Sequence, residues 1–412
     1  MGYLRRRIVT AALTANAVRP VPGHWPGAWA FPAGWMVGEL APQILAATVA
    51  DTVVSAARRK VTLPGLAVAA ATSYALVRMI RQSSQVRVLV DGSIDRDLGA
   101  ELAADLDPVT PEELATPWNR LATPFRKDDP RVRVERDVRY SDAGKRGLLD
   151  IYRPAGRELS GAPVLLQIHG GGWTLGSKNE QGIPLMNEMA ADGWVCVAIN
   201  YRLAPRDPFP AQIIDVKRAI AWVKEHIADY GGDPSYVVVT GGSAGGHLTA
   251  LAALTPNDPE YQPGFEDADT TVQAAVPHYG VYDIAGSTGL ASALIIRDSF
   301  FAPRIMQRTW AEAPELYEHG SPILRITPDA PDFFVIHGQR DSLVDVEQAR
   351  LFVSGLREAS RNTVVYAEIP GAQHAFDVFT SIRSAHVVRA IHRYLRWHHT
   401  FRRVGHPSAA AG

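Results

Sequence analysis

The sequence predicts an α/β fold: a mostly parallel central sheet with helices on both faces, preceded by an apolar helical extension. Three observations predict it. Tyr236 to Thr240 is a β-branched run that enters Gly241-Gly242-Ser243-Ala244-Gly245, and an apolar run from Leu248 to Leu254 follows. That is a buried strand turning sharply into a buried helix. From residue 131 onward, strand-like and helix-like segments alternate, which is the pattern of a parallel sheet covered on both sides. Glycine-rich or polar loops follow the strand-like runs, at the sheet edge where ligands bind in open α/β folds.

Composition sets bounds on partners and chemistry. With 412 residues, 46% hydrophobic and 21% charged, the chain can build one large domain plus an additional unit. A formal net charge of −1 gives no reason to expect nucleic acid. The single Cys196, inside Val195–Ile199, excludes an internal disulfide and reads as a core thiol. No histidine spacing suggests a metal site, and His398-His399 reads as an exposed pair.

Residues 1–82 form the extension. Arg5-Arg6-Arg7 precedes a short apolar run broken by Thr10, and Ala15-Asn16-Ala17 fits a small-x-small cleavage site. The run is short for a secretion signal, so secretion is left open. Pro20 to Trp35 is rich in Pro, Gly and Trp and is expected to be irregular. Leu40–Ala57 reads as an amphipathic helix. Val61–Val77 is apolar for about 17 residues, the lower limit for crossing a bilayer. The extension is thus either a cap on the rest or a membrane-associated hairpin, and the chain either membrane-associated or cytoplasmic.

Residues 83–130 read as a polar linker with short helices, one starting at Thr110-Pro111-Glu112-Glu113. Residues 131–400 carry the α/β pattern. Strands are expected at 131–138, 147–154, 164–168, 195–200, 236–240, 272–276, 333–336 and 363–369, and helices at 213–230, 346–357 and 381–396. Residues 283–330 interrupt this alternation as an apolar insertion able to shape a pocket. Residues 401–412 read as a disordered tail.

The loops carry the chemistry. A serine hydroxyl needs a base to act as a nucleophile, and Ser243 occupies the turn that exposes it. His374 follows the last strand, and an imidazole ordinarily titrating near about 6.5 suits the role of base. Asp341 is the first carboxylate after Phe333–Ile336 and would orient the histidine. Its competitor Asp345 begins the next helix and reads as an N-cap. His169-Gly170-Gly171-Gly172-Trp173 follows another strand. Backbone N–H groups of Gly171, Gly172 and Ala244 would bind an oxyanion. Trp173, Tyr201 and Tyr279, with Tyr282, are candidate pocket walls, and Arg202 is expected to tie its loop to a carboxylate such as Asp215.

His169–Gly172, Asn200–Pro205, Phe209-Pro210-Ala211 and Gly242–Gly246 together resemble the hormone-sensitive-lipase-like branch of the α/β-hydrolases over about residues 131–397. The resemblance implies an α/β-hydrolase fold, hydrolysis of small-molecule or lipid carboxylic esters through an acyl-enzyme, and no metal or organic cofactor. It implies Ser243, Asp341 and His374 as triad and a cap built from residues before the first strand. The chain departs where Gly242 stands in place of the acid usual in bacterial members. His169–Trp173 is also similar to the oxyanion loop of arylformamidases and amidases. An acyltransferase, or a silent fold serving as receptor or scaffold, is a further alternative. Oligomeric state is not encoded in any of these features.

Overall fold

The computed structural model describes residues 1–403; most of the expected tail, 404–412, lies outside the described residues. Four helices come first: α1 (Tyr3–Val18), α2 (His24–Glu39), α3 (Ala41–Ala57) and α4 (Leu63–Ala103). Two single turns follow, α5 (Pro111–Leu114) and α6 (Trp118–Leu121). The α/β part then runs β1 (Val132–Arg139), β2 (Leu148–Pro154), β3 (Ala162–Ile168), α7 (Ile183–Ala191), β4 (Val195–Ile199), α8 (Ala211–His226), β5 (Gly232–Gly242) and α9 (Ala244–Leu254). It ends with β6 (Ala274–His278), α10 (Ala291–Ile296), α11 (Pro314–His319), β7 (Asp332–Gly338), α12 (Val346–Ala359), β8 (Val364–Ile369) and α13 (Ile382–Arg403).

The eight strands form one sheet in the order β1-β2-β4-β3-β5-β6-β7-β8. β2 is antiparallel to both neighbours, and every pairing from β4 to β8 is parallel. The central strands are apolar on both faces because helices cover both. Val164, Leu166, Val237 and Val239 enter one core layer, and Leu165, Val238, Phe334 and Ile336 the other. Cys196 is fully buried in β4, and burial pushes its thiol well up, as expected of an inert core residue.

Two expectations for the extension need correction. Residues 24–39 are helical despite Pro26, Pro32 and three glycines. Pro26 sits in the first turn, where its missing N–H costs nothing. The rest is held by tertiary contacts: Asn16 Nδ2 donates to Ala30 O, and Trp35 Nε1 donates to Ala375 O. The helix over the apolar stretch Val61–Val77 also runs past residue 82, the expected end of the extension. It is 41 residues long, with Gly99 at φ +78° as its only non-helical residue, and its second half packs on α13 and β8. Val86, Val90 and Ile94 recur at helical spacing there and join the core layer of Leu165 and Phe334, with Val387 and Ile391. The turn at Thr110 is as expected, with a complete capping box between Thr110 and Glu113.

His398 is a third correction. It is buried, with Nδ1 2.6 Å from Tyr236 Oη and Nε2 2.9 Å from Asp332 Oδ2. It thus joins α13 to the starts of β5 and β7.

Arg202 behaves as expected. Its backbone N–H donates to Asp215 Oδ2 (2.8 Å), and its guanidinium to Oδ1 (3.0 and 2.7 Å). This clamps the loop after β4 to α8. Asp215→Ala removes a nearly buried acceptor of charged hydrogen bonds. It is expected to cost about 1.5–3 kcal/mol of stability, measured by denaturant unfolding.

Candidate active site

Ser243 sits between the last residue of β5 and the first of α9 at φ +60°, ψ −121°. A non-glycine residue holds such a conformation only where its surroundings enforce it. The enforcement is visible at Gly245, where an added Cβ would lie 2.2 Å from Ile168 O and 2.8 Å from His169 O. Only glycine lets α9 start this close to the end of β3. The Ser243 N–H donates to His278 O at the end of β6 (3.0 Å).

Two loops after strands supply an acid and an imidazole. Asp341 follows β7, and His374 follows β8. His374 Nδ1 lies 2.6 Å from Asp341 Oδ2. The other carboxylate oxygen accepts from the backbone N–H groups of Leu343 (2.9 Å) and Val344 (2.8 Å). His337 Nε2 lies 3.3 Å from Asp341 Oδ2. Burial pushes the Asp341 carboxyl up, but His374 and His337 outweigh it and hold the group well below the usual carboxylate range. Asp345, the competitor, caps α12 by accepting from Glu347 N–H (3.1 Å).

The glycine loop after β3 lies against the serine turn. A Cβ at Gly170 would lie 2.6 Å from Gly242 O and 3.2 Å from Ser243 Cβ. Gly171 and Gly172 both have positive φ (119° and 57°), and Gly171 O accepts from Leu175 N–H (3.0 Å) to close the turn. Gln181 Oε1 accepts from Gly170 N–H (2.7 Å) and braces the loop. The expected oxyanion donors Gly171, Gly172 and Ala244 are therefore placed on two segments that meet at Ser243.

The three aromatic residues expected to line a pocket are buried, and Tyr279 lines a small cavity with Gly242, His278 and Asp377. Trp173 is 3% exposed and donates to His247 Nδ1 (3.3 Å). His247 in turn lies 2.7 Å from Gly320 O, and burial pushes it down to about 4. Tyr201 is fully buried, stacks on His169 and donates to His169 O (2.8 Å). Tyr279 is 2% exposed, and its hydroxyl donates to Asp377. Tyr282 is also buried and stacks on Phe352. Phe300 of the 283–330 insertion approaches the glycine loop, 3.5 Å from where a Cβ at Gly172 would be.

Sequence reasoning missed Asp377 and His278. Asp377 Oδ2 lies 2.5 Å from His278 Nδ1, and its other oxygen accepts from Tyr279. Burial raises the Asp377 carboxyl, but His278 and these hydrogen bonds pull it below its ordinary range. The Tyr279 ring lies 4.7 Å from the His374 ring, and its hydroxyl fills the space beside Gly242, where a Cβ would be 2.6 Å away. One buried carboxylate thus fixes the residue whose carbonyl holds Ser243 and the ring that backs His374. It is three positions after His374, but its partners come from β6, about a hundred residues earlier, so no local spacing reveals it.

The extension also reaches the site. Phe31 of α2 stands edge-on to His374 at 6.0 Å and stacks with Trp35, whose indole holds Ala375 O. Glu39 at the end of α2 forms a buried ion pair with Arg383 (2.7 Å) and accepts from Ser381.

Comparison with known proteins gives consistent relatives. The BD-FAE family matches residues 149–356. The probable carboxylic ester hydrolase LipM of Mycobacterium tuberculosis is 44% identical over 96% of this chain and 93% of its own. Esterase LipQ of the same organism is 48% identical over 63% of this chain and 61% of its own. Among solved structures, esterase 2 of Thermogutta terrifontis superimposes with a TM-score of 0.53 at 25% identity, over 69% of this chain and 96% of that one.

The Tyr279 hydroxyl makes position 242 intolerant of a side chain. Gly242→Asp is expected to overpack the site by about 1–3 kcal/mol. Thermal unfolding should shift down and ester turnover should fall rather than rise.

Proposed function

The chain belongs to the hormone-sensitive-lipase-like α/β-hydrolase family and is a carboxylic ester hydrolase, and from that premise we propose that Ser243, His374 and Asp341 carry the reaction. The observation that carries this reading is the 2.6 Å contact between His374 and a buried, ionised Asp341, with Tyr279 packed against both the His374 ring and Gly242, the residue before the strained Ser243.

His374 removes the hydroxyl proton as Ser243 Oγ attacks the ester carbonyl carbon. Asp341 fixes the imidazole with Nδ1 protonated and stabilises the imidazolium that forms. The oxyanion is bound by the N–H groups of Gly171, Gly172 and Ala244, each such donor worth about 2.7–4 kcal/mol of barrier. His374 then protonates the leaving alcohol. Water, deprotonated by the same imidazole, attacks the acyl-enzyme, and the carboxylic acid leaves with Ser243 restored. The acyl groups we assign are short to medium in length, with Phe300 near the glycine loop limiting the space. We further infer that residues 1–82 associate with a membrane, an inference supported by one helix, Leu63–Ala103, long and apolar enough to cross it.

Two experiments test these roles. Ser243→Ala should lower turnover of p-nitrophenyl acetate to hexanoate by about three orders of magnitude or more. Equal turnover by the variant, or Ser243-dependent cleavage of N-formylkynurenine alone, would contradict the assignment. The pH profile follows from the sign of the Asp341 shift. A depressed carboxyl contributes stability above its unfolded value of about 3.9 and loses it only as pH falls through the still lower folded value. Asp341 therefore stays ionised throughout the acid limb of activity. That limb should follow a single proton, taken up by the imidazole base, with folding intact by circular dichroism.

A further inference from the structure

The helices before the α/β part bury hydroxyl and charged groups beside a small apolar cluster of Ala17, Val37, Ala41, Leu76 and Met79, and turn many apolar side chains outward. The interior between α1, α3 and the first half of α4 contains Arg7, Thr14, Thr48, Ser55 and Thr72, all buried. Arg6 and Arg7 pair there with Asp51 (2.8 and 2.9 Å), and Tyr3 Oη lies 3.0 Å from Thr52 Oγ1. The outer surface carries Ile8, Val9 and Leu13 of α1, Val49, Val53 and Val54 of α3, and Leu63, Leu66 and Tyr74 of α4, all exposed. Water would favour the opposite arrangement, because exposed apolar area is costly and buried hydroxyls gain little. A hydrocarbon surround favours what is observed, with small and hydroxyl residues at helix contacts.

Charge marks the ends of this apolar zone. Exposed Arg5, Arg58, Arg59 and Lys60 lie at the end farthest from the sheet, and exposed Arg19, Arg78 and Arg81 at the near end. No charged residue stands between Lys60 and Arg78 on α4 or between Arg7 and Arg19 on α1. At 1.5 Å per residue, the uncharged stretch of α4 from Leu63 to Val77 rises about 22 Å, against the roughly 30 Å of bilayer hydrocarbon. Exposed apolar residues occur on all three helices, α1, α3 and α4, which suits a lipid surround better than a single protein partner.

α2 has a different attitude. It meets α3 at 79°. Its outward stripe is Trp25, Trp29 and Pro32, with Trp29 85% exposed, while Phe31 and Trp35 face His374 and its loop. Exposed tryptophan, with basic residues at the end of an apolar zone, is the pattern of a bilayer–water boundary.

We propose that α1, α3 and the first half of α4 insert in a lipid bilayer, and that α2 lies along its surface as the wall between the lipid and His374. The active site then opens at the membrane surface and takes a water-insoluble ester whose apolar part remains in the bilayer. This substrate class rests on the esterase reading above; the insertion does not.

The test uses the full chain in vesicles of mixed phosphatidylcholine and phosphatidylglycerol. The wild type should stay with the vesicles through alkaline carbonate extraction; release into the supernatant would overturn insertion. Trp25→Ser combined with Trp29→Ser should slow hydrolysis of a fluorogenic diacylglycerol in the bilayer about tenfold or more, while p-nitrophenyl acetate turnover stays unchanged, since tryptophan anchors act at the interface. Equal loss on both esters, or loss on neither, would overturn the role of α2. Trp29→Phe should retain most bilayer activity. Absence of p-nitrophenyl acetate turnover in the wild type would instead sink the esterase reading and leave the extraction result standing.

Discussion

The catalytic half of the molecule depends on one close approach. Helix α9 begins so near the end of β3 that only glycine fits at position 245, with Ile168 O 2.2 Å from where a Cβ would be. That approach forces Ser243 into a left-handed turn at the edge of the sheet, with its N–H held by His278 O. The glycine loop after β3 is drawn alongside by the same packing, because both segments leave adjacent, paired strands. The cost of the strained residue is borne by a core in which the central strands are buried on both faces.

A second constraint is the supply of fixed negative charge in a buried place. Asp341 is kept ionised by two histidines and two backbone donors. Asp377 is kept so by His278 and Tyr279. The two carboxylates brace the His374 ring from different directions, one through Nδ1 and one through the face of Tyr279. Gly242 belongs to this arrangement, since the Tyr279 hydroxyl occupies the volume a side chain would take.

The α/β part was legible because its signals are local. β-branched runs mark strands, and Gly-x-Ser-x-Gly and the triple glycine state their own backbone geometry. Asp345 could be set aside as a helix cap from its position alone. What was illegible depends on distant partners. His398 looks exposed beside His399 until Tyr236 and Asp332 are brought to it. The hydrogen bonds that hold Trp173, Tyr201 and Tyr279 in place come from residues distant in sequence. Residues 24–39 contain two prolines and read as irregular, yet contacts with α1 and the His374 loop hold them helical. In the extension, hydropathy alone could not separate a cap from a membrane segment. Burial adds what hydropathy lacks, with Thr14, Thr48 and Thr72 inside and Val49, Val53 and Val54 outside.

The central claim is that one activated serine performs covalent catalysis. Its most direct measurement is reaction of the full-length protein with a fluorophosphonate, followed by peptide mass analysis. The account predicts stoichiometric modification of Ser243, and strong slowing in His374→Ala, which removes the base but leaves the nucleophile. Labelling that persists undiminished in Ser243→Ala, or no labelling of a protein that hydrolyses esters, would contradict it.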